Sequence, residues 1–109
     1  MTFAEYQKES RRTAAYANAG KNYIYPTLGL AGEGGEVANQ IKKIERDDHG
    51  VVTDARKKAI AHELGDVLWY VAQVATEFGL SLDDVASENL QKLLSRLDRG
   101  TINGDGDTR

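Results

Sequence analysis

Glu33 and Glu36, followed after 26 intervening residues by Glu63 and Asp66, are two acid pairs spaced i, i+3. Residues three apart share a helix face, so each pair can present two carboxylates in one direction. On a wheel turning about 100° per residue, Leu30, Val37, Ile41 and Ile44 form an apolar stripe. Glu33 falls inside that stripe and Glu36 at its edge. Downstream, the stripe is Ile60, Leu64, Val67, Val71, Val74, Ala75 and Phe78. Glu63 lies at its border and Asp66 one step further out. Acids at this spacing are also common on solvated faces. A carboxylate directed toward a core, however, is costly unless it is paired or bound to a metal. Oxygen donors without Cys or His partners select Mg²⁺, Mn²⁺ or Ca²⁺, and Mg²⁺ in such a site keeps positions open for phosphate oxygens.

The elements that must carry these acids read as helix throughout, with one proline and no alternating stretch long enough for a strand. Thr2 with Glu5 makes a capping-box pattern for a first helix reaching about Asn18. Gly20 to Pro26 is a tyrosine-rich loop, and Pro26 suits the first turn of a second helix ending near Arg46. Thr53 caps a third helix that stops at Gly79. Ser81 caps a fourth, ending near Arg99. Gly32, Gly34 and Gly35 surround Glu33. They fit a loop preceding a shorter second helix, or a helix that another helix or a ligand approaches closely. On the fourth helix Leu82, Ala86, Leu90, Leu93, Leu94 and Leu97 make the stripe. Asn89 and Lys92 flank it at nearly the offset that Glu63 and Asp66 show on the third.

A chain of 109 residues fits one domain. A domain this small encloses little volume, which predicts self-association. The net charge of −3 and pI near 5.3 lack the basic stripe of a duplex binder, so no nucleic-acid polymer is expected. No apolar run is long enough to span a membrane, and the start of the chain lacks a secretory core. The absence of cysteine removes disulfides and thiolate metal sites and fits a cytoplasmic location.

Leu28 to Lys43 (LGLAGEGGEVANQIKK) followed by Glu63 to Tyr70 (ELGDVLWY) resembles the MazG-like all-α nucleoside triphosphate pyrophosphohydrolases, in a short single-domain form. The resemblance extends to Phe3-x-x-Tyr6-Gln7, Tyr25-Pro26, Asn89-x-x-Lys92 and the ending Arg99-Gly100…Gly106-Asp107. Gly34 departs from it, since alanine is commoner there. The resemblance implies an all-α four-to-five-helix bundle over residues 1–100 that assembles as a homodimer or a dimer-of-dimers tetramer. Residues 101–109 would be a flexible Gly/Asp-rich tail. It implies hydrolysis of a nucleoside or deoxynucleoside triphosphate to the monophosphate and pyrophosphate with Mg²⁺, or Mn²⁺ in its place, in nucleotide-pool housecleaning.

By the same resemblance Glu33, Glu36, Glu63 and Asp66 are catalytic metal ligands. Glu33 is favoured to polarise the attacking water, because an apolar setting raises its basicity. Asn89, Lys92 and Arg96 would meet phosphate oxygens. Tyr6, Gln7, Tyr25 and Trp69 are the candidates for the base, although aromatic residues at such positions also serve cores and interfaces. Two other readings use the same residues: a non-catalytic helical nucleotide-binding or assembly module, and a phosphoribosyl-ATP-type substrate. A di-iron bundle is disfavoured, because that class uses Glu-x-x-His pairs.

Overall fold

A computed structural model describes residues 1–107. They contain four helices and no strand: α1 (Phe3–Arg11), α2 (Ile24–Asp47), α3 (Asp54–Glu77) and α4 (Leu82–Asp98). Three starts follow the caps read from sequence. Thr2, Thr53 and Ser81 each accept a hydrogen bond from the backbone N–H three residues on, filling one of the donors a helix leaves open. Gly79 and Gly100 take positive φ after α3 and α4, where a side chain would be strained. The glycine-rich stretch at 32–35 is helical, inside α2.

The first helix is shorter than its alanine-rich continuation suggests. It ends at Arg11 rather than near Asn18, and Asn18 itself adopts φ 57°. Tertiary hydrogen bonds to Glu77 draw Tyr16, Gly20 and Asn22 out of the helical path. Local propensity is a weak prior beside such partners.

Helices α2 and α3, 24 residues each, run about 36 Å as an antiparallel hairpin closed by the turn at 48–53. Arg56 holds that turn, donating to Asp48 at 3.0 Å and to buried Gln40 at 2.9 Å. One glycine sets the approach of the two helices. A Cβ at Gly29 would lie 2.2 Å from the Tyr70 ring, so the ring rests directly on the backbone of α2. Helix α1 crosses α3, and α4 packs on α1 without sharing a comparable face with α2 or α3.

Gln7 makes the α1–α4 joint. Its amide nitrogen donates to Thr76 Oγ1 and to the Leu80 carbonyl, and its oxygen accepts from Leu82 N at the start of α4. The result is a flat, open molecule of 44 × 43 × 26 Å. Its radius of gyration is 16.8 Å, against about 13 Å for a compact chain of this length. The buried apolar side chains among the described residues are few: Pro26, Ile44, Ala72, Ala75 and Leu82. The stripe predicted for α4 is real as a pattern but is not core within one chain: Leu90, Leu93, Leu94 and Leu97 are all exposed.

Candidate metal centre

The Gly29–Tyr70 contact fixes the register of the hairpin. One turn further along α2 and one turn back along α3, Glu33 faces Asp66, and the next turn brings Glu63 alongside. One carboxylate oxygen each from Glu33, Glu63 and Asp66 lies within 4.8 Å of the others. Two oxygens opposite each other on a Mg²⁺ at about 2.1 Å are about 4.2 Å apart. Neighbouring oxygens on the same ion are about 3.0 Å apart, and three donors have at most one opposite pair, so this group reaches one divalent cation after a closure of up to about 1.8 Å. Glu36 is exposed and lies outside this close group, though near enough for its charge to act on Glu33.

Burial holds the Glu33 carboxyl above its ordinary value. The charges of Asp66, Glu63 and Glu36 push it the same way, and so does a hydrogen bond with Glu63. The largest charges acting on it are all negative, so its proton is retained by repulsion as well as by desolvation. A cation placed among the three oxygens would reverse that balance.

An aromatic cluster begins one helical turn away, since Tyr70 follows Asp66 by four residues on α3. Tyr16 stacks on Tyr25 at 5.0 Å and 21° and meets Trp69 edge-on at 6.5 Å. Tyr70 meets both Tyr25 and Trp69. The charges of Glu33 and Asp66 reach the Tyr70 hydroxyl, which burial has already pushed up. Trp69 donates to Thr13 Oγ1 at 2.8 Å. Tyr6 is raised by burial and by the charge of Asp66, and it lines a cavity of about 150 Å³ with Phe3 and Leu68.

The remaining predicted residues stand elsewhere. Both ends of the Gln7 amide are occupied within the fold, as described above. Asn89 and Lys92 line a shallow cavity of about 360 Å³ on α4 with Val85 and Glu88. Lys92 pairs with Asp107 of the tail at 3.2 Å. Arg96 is 2% exposed, and its guanidinium donates to the carbonyls of Gly106 and Asp107. It anchors the tail rather than facing an open phosphate position. The last two tail residues, 108 and 109, lie outside the described residues.

Sequence reasoning missed Glu77. Its side chain is 1% exposed and accepts from Arg11 at 2.7 Å, Tyr16 at 2.6 Å, Gly20 N at 2.8 Å and Asn22 N at 2.7 Å. Burial would raise its pKa, but hydrogen bonds from Tyr16, Asn22, Gly20 and Arg11 outweigh it and bring it down to about 2. One signal was available. Glu77 is an acid in the last turn of a helix with no basic neighbour there, the end where the helix dipole disfavours negative charge. An acid so placed needs donors from elsewhere in the chain.

The model of the MazG nucleotide pyrophosphohydrolase domain matches residues 25–100. The chain is also similar to the Gene 37 protein of Mycobacterium phage L5, with 48% identity over 109 residues covering 95% of this chain and 96% of that relative. No solved structure matches it. Among the described residues no helix is long and apolar enough to cross a membrane. The matched segment holds α2, α3 and α4 with all four acids, and the chain belongs to the MazG nucleotide pyrophosphohydrolase family.

Proposed function

We propose that the chain hydrolyses a nucleoside or deoxynucleoside triphosphate to the monophosphate and pyrophosphate, using Mg²⁺ or Mn²⁺, in nucleotide-pool housecleaning. The observation that carries this reading is the convergence of Glu33, Glu63 and Asp66 from two helices onto one cation-sized space. Glu36, one turn along α2, completes the acid set around the polyphosphate. When bound, the cation supplies neutralisation of phosphate charge and a more acidic water. With the charges of its acidic neighbours offset by the cation, Glu33 would keep the basicity that burial gives it and accept the proton of the attacking water. The water oxygen bonds to phosphorus, the anhydride P–O bond breaks, and pyrophosphate leaves. The nucleoside is assigned to the side of Tyr70, which the charges of Glu33 and Asp66 reach and which Tyr25 and Trp69 meet, with Tyr6 within reach of the charge of Asp66.

Asn89 and Lys92 are assigned to phosphate oxygens. Within one chain α4 packs on α1, away from the hairpin that carries the acids. The reading therefore includes a homodimer or a dimer of dimers, in which the exposed α4 leucines are covered. Contiguous apolar surface of this kind marks an interaction site.

The test is a turnover screen over ribo-, deoxy- and modified nucleoside triphosphates, with pyrophosphate release followed with and without chelator. Release that needs Mg²⁺ or Mn²⁺ supports the assignment. Tight nucleotide binding without cleavage of any substrate would leave a binding module instead. A monomer by sedimentation at micromolar concentration would remove the oligomeric part.

A further inference from the structure

Residues 12–23 connect α1 to α2 without forming a helix, yet they carry one face of the aromatic cluster. A segment of this kind holds a ring in place only if it is tied down. The ties converge on one carboxylate. The Tyr16 hydroxyl donates to Glu77 Oε2 at 2.6 Å, and Gly20 N donates to the same oxygen at 2.8 Å. Asn22 N donates to Oε1 at 2.7 Å.

Asn22 then passes the constraint on. Its side-chain oxygen accepts from Tyr25 N at 3.1 Å, and its amide nitrogen donates to the Ala17 carbonyl at 2.9 Å. Both rings of the Tyr16–Tyr25 stack are thus referred to Glu77, one directly and the other through Asn22, two residues ahead of α2. Arg11 closes the arrangement from α1, donating to Glu77 at 2.7 Å and to the Tyr16 hydroxyl at 2.7 Å. Below Arg11, Gln73 is fully buried and links Arg11 to Ser10. The stack leans on Tyr70, which sits one turn from Asp66 on the same helix.

We propose that Glu77 is a positioning residue: it fixes the Tyr16–Tyr25 stack as the wall against which the nucleoside end of the substrate rests, while the acids hold the polyphosphate end. The inference rests on the hydrolase reading above. Glu77 lies in the last turn of α3 and Glu63 fourteen residues earlier, about 21 Å along the axis. Its effect on the reaction therefore passes through the wall and not through the metal. A carboxylate suits the task because it accepts four hydrogen bonds at once, which a carboxamide with one oxygen does not.

The test compares the full-length parent with Glu77→Gln, using Mn²⁺ alone, Mn²⁺ with inorganic tripolyphosphate, and Mn²⁺ with nucleoside triphosphates. Tripolyphosphate carries the charge without the nucleoside. Glu77→Gln should raise the nucleotide KM about tenfold with kcat within about threefold, the pattern of lost binding common to ground and transition states. Mn²⁺ and tripolyphosphate affinities should stay within about twofold of the parent, because the acids are untouched. Emission from Trp69, the chain's one tryptophan, should shift as the ring loses its ordered neighbours.

Tyr16→Phe keeps the ring and removes only its hydroxyl link. It should act in the same direction by about threefold, and it carries the test alone if Glu77→Gln does not fold. Equal losses for tripolyphosphate and nucleotide, or an unchanged nucleotide KM with shifted Trp69 emission, would overturn the assignment. A parent that binds nucleotide without cleaving it would sink the hydrolase reading. The tripolyphosphate-against-nucleotide comparison would still decide the role of the wall through dissociation constants.

Discussion

Helix α3 carries acids at two stations that solve opposite problems. At Glu63 and Asp66 the neighbours include Glu33 from α2, and the Glu33 carboxyl is held above its ordinary value. Fourteen residues after Glu63, Glu77 is ringed by donors and held down to about 2. The chemical group is the same, and the two helices belong to one hairpin. What differs is whether the fold supplies the positive partners. At Glu77 it does, and the carboxylate is a structural knot. At Glu33 it does not, and the charges around that carboxyl are those of Asp66, Glu63 and Glu36. Unsatisfied like charges near a core are a cost that a fold retains for function. Fully satisfied ones specify shape.

The sharpest way to break this contrast is to remove one carboxylate from each station. Glu63→Gln should lower turnover by about a thousandfold or more, with far-UV circular dichroism unchanged. Loss of the helical signal would instead make Glu63 a structural acid. Glu77→Ala should do the reverse to stability. It leaves Arg11, Tyr16, Gly20 and Asn22 without their acceptor and should cost about 2 kcal/mol in urea unfolding. A cost within error of zero would show that water replaces Glu77 without penalty.

The glycines of α2 and α3 sharpen the contrast at the level of packing. Gly29→Ala drives a methyl into the Tyr70 ring and should destabilise by about 1–3 kcal/mol. Gly32→Ala and Gly65→Ala meet nothing within the chain, and each should stabilise the isolated helix by up to about 1 kcal/mol. If either one weakens self-association in sedimentation, its open space is where a second copy approaches.

The smallest effects concern pH, and the two stations should slope in opposite directions. Glu77 has a folded pKa below its unfolded value of 4.5. Its contribution is therefore whole above about 4.5 and fades as pH falls toward about 2. The stability difference between parent and Glu77→Gln should be flat at neutral pH and shrink in acid. Glu33 has a folded pKa above 4.5, so it imposes no penalty in acid and a growing one as pH rises through its titration. Glu33→Gln should raise the melting temperature of the metal-free protein by a few degrees near neutral pH. Excess Mg²⁺ should raise it in the parent but not in the variant.

Much of the frame was legible before any coordinates. Caps at Thr2, Thr53 and Ser81 follow from side chains that act on their own next turn, which sequence displays directly. The convergence of Glu33, Glu63 and Asp66 was legible in part for the same reason, because helical periodicity orients each pair, while Glu36 stands outside the close group. Long-range partners were not legible. The family resemblance made Gln7 a candidate for the base, but its amide bonds residues 69 to 75 positions away. Arg96 looked like the next cation after Lys92, but the returning tail covers it. The end of α1 was misplaced because Glu77 competes for its continuation from 55 to 61 residues downstream. Periodicity reports which face a residue occupies, not what will arrive to meet it.

The short turn between α2 and α3 has a consequence for how the protein comes into being. Both acid pairs lie on one sequence-local hairpin, and structures built from near neighbours along the chain form fast. The α4 leucines, by contrast, find no cover within the chain. The face that carries the acids is therefore organised early, ahead of the long-range contacts of α1 with α3 and α4.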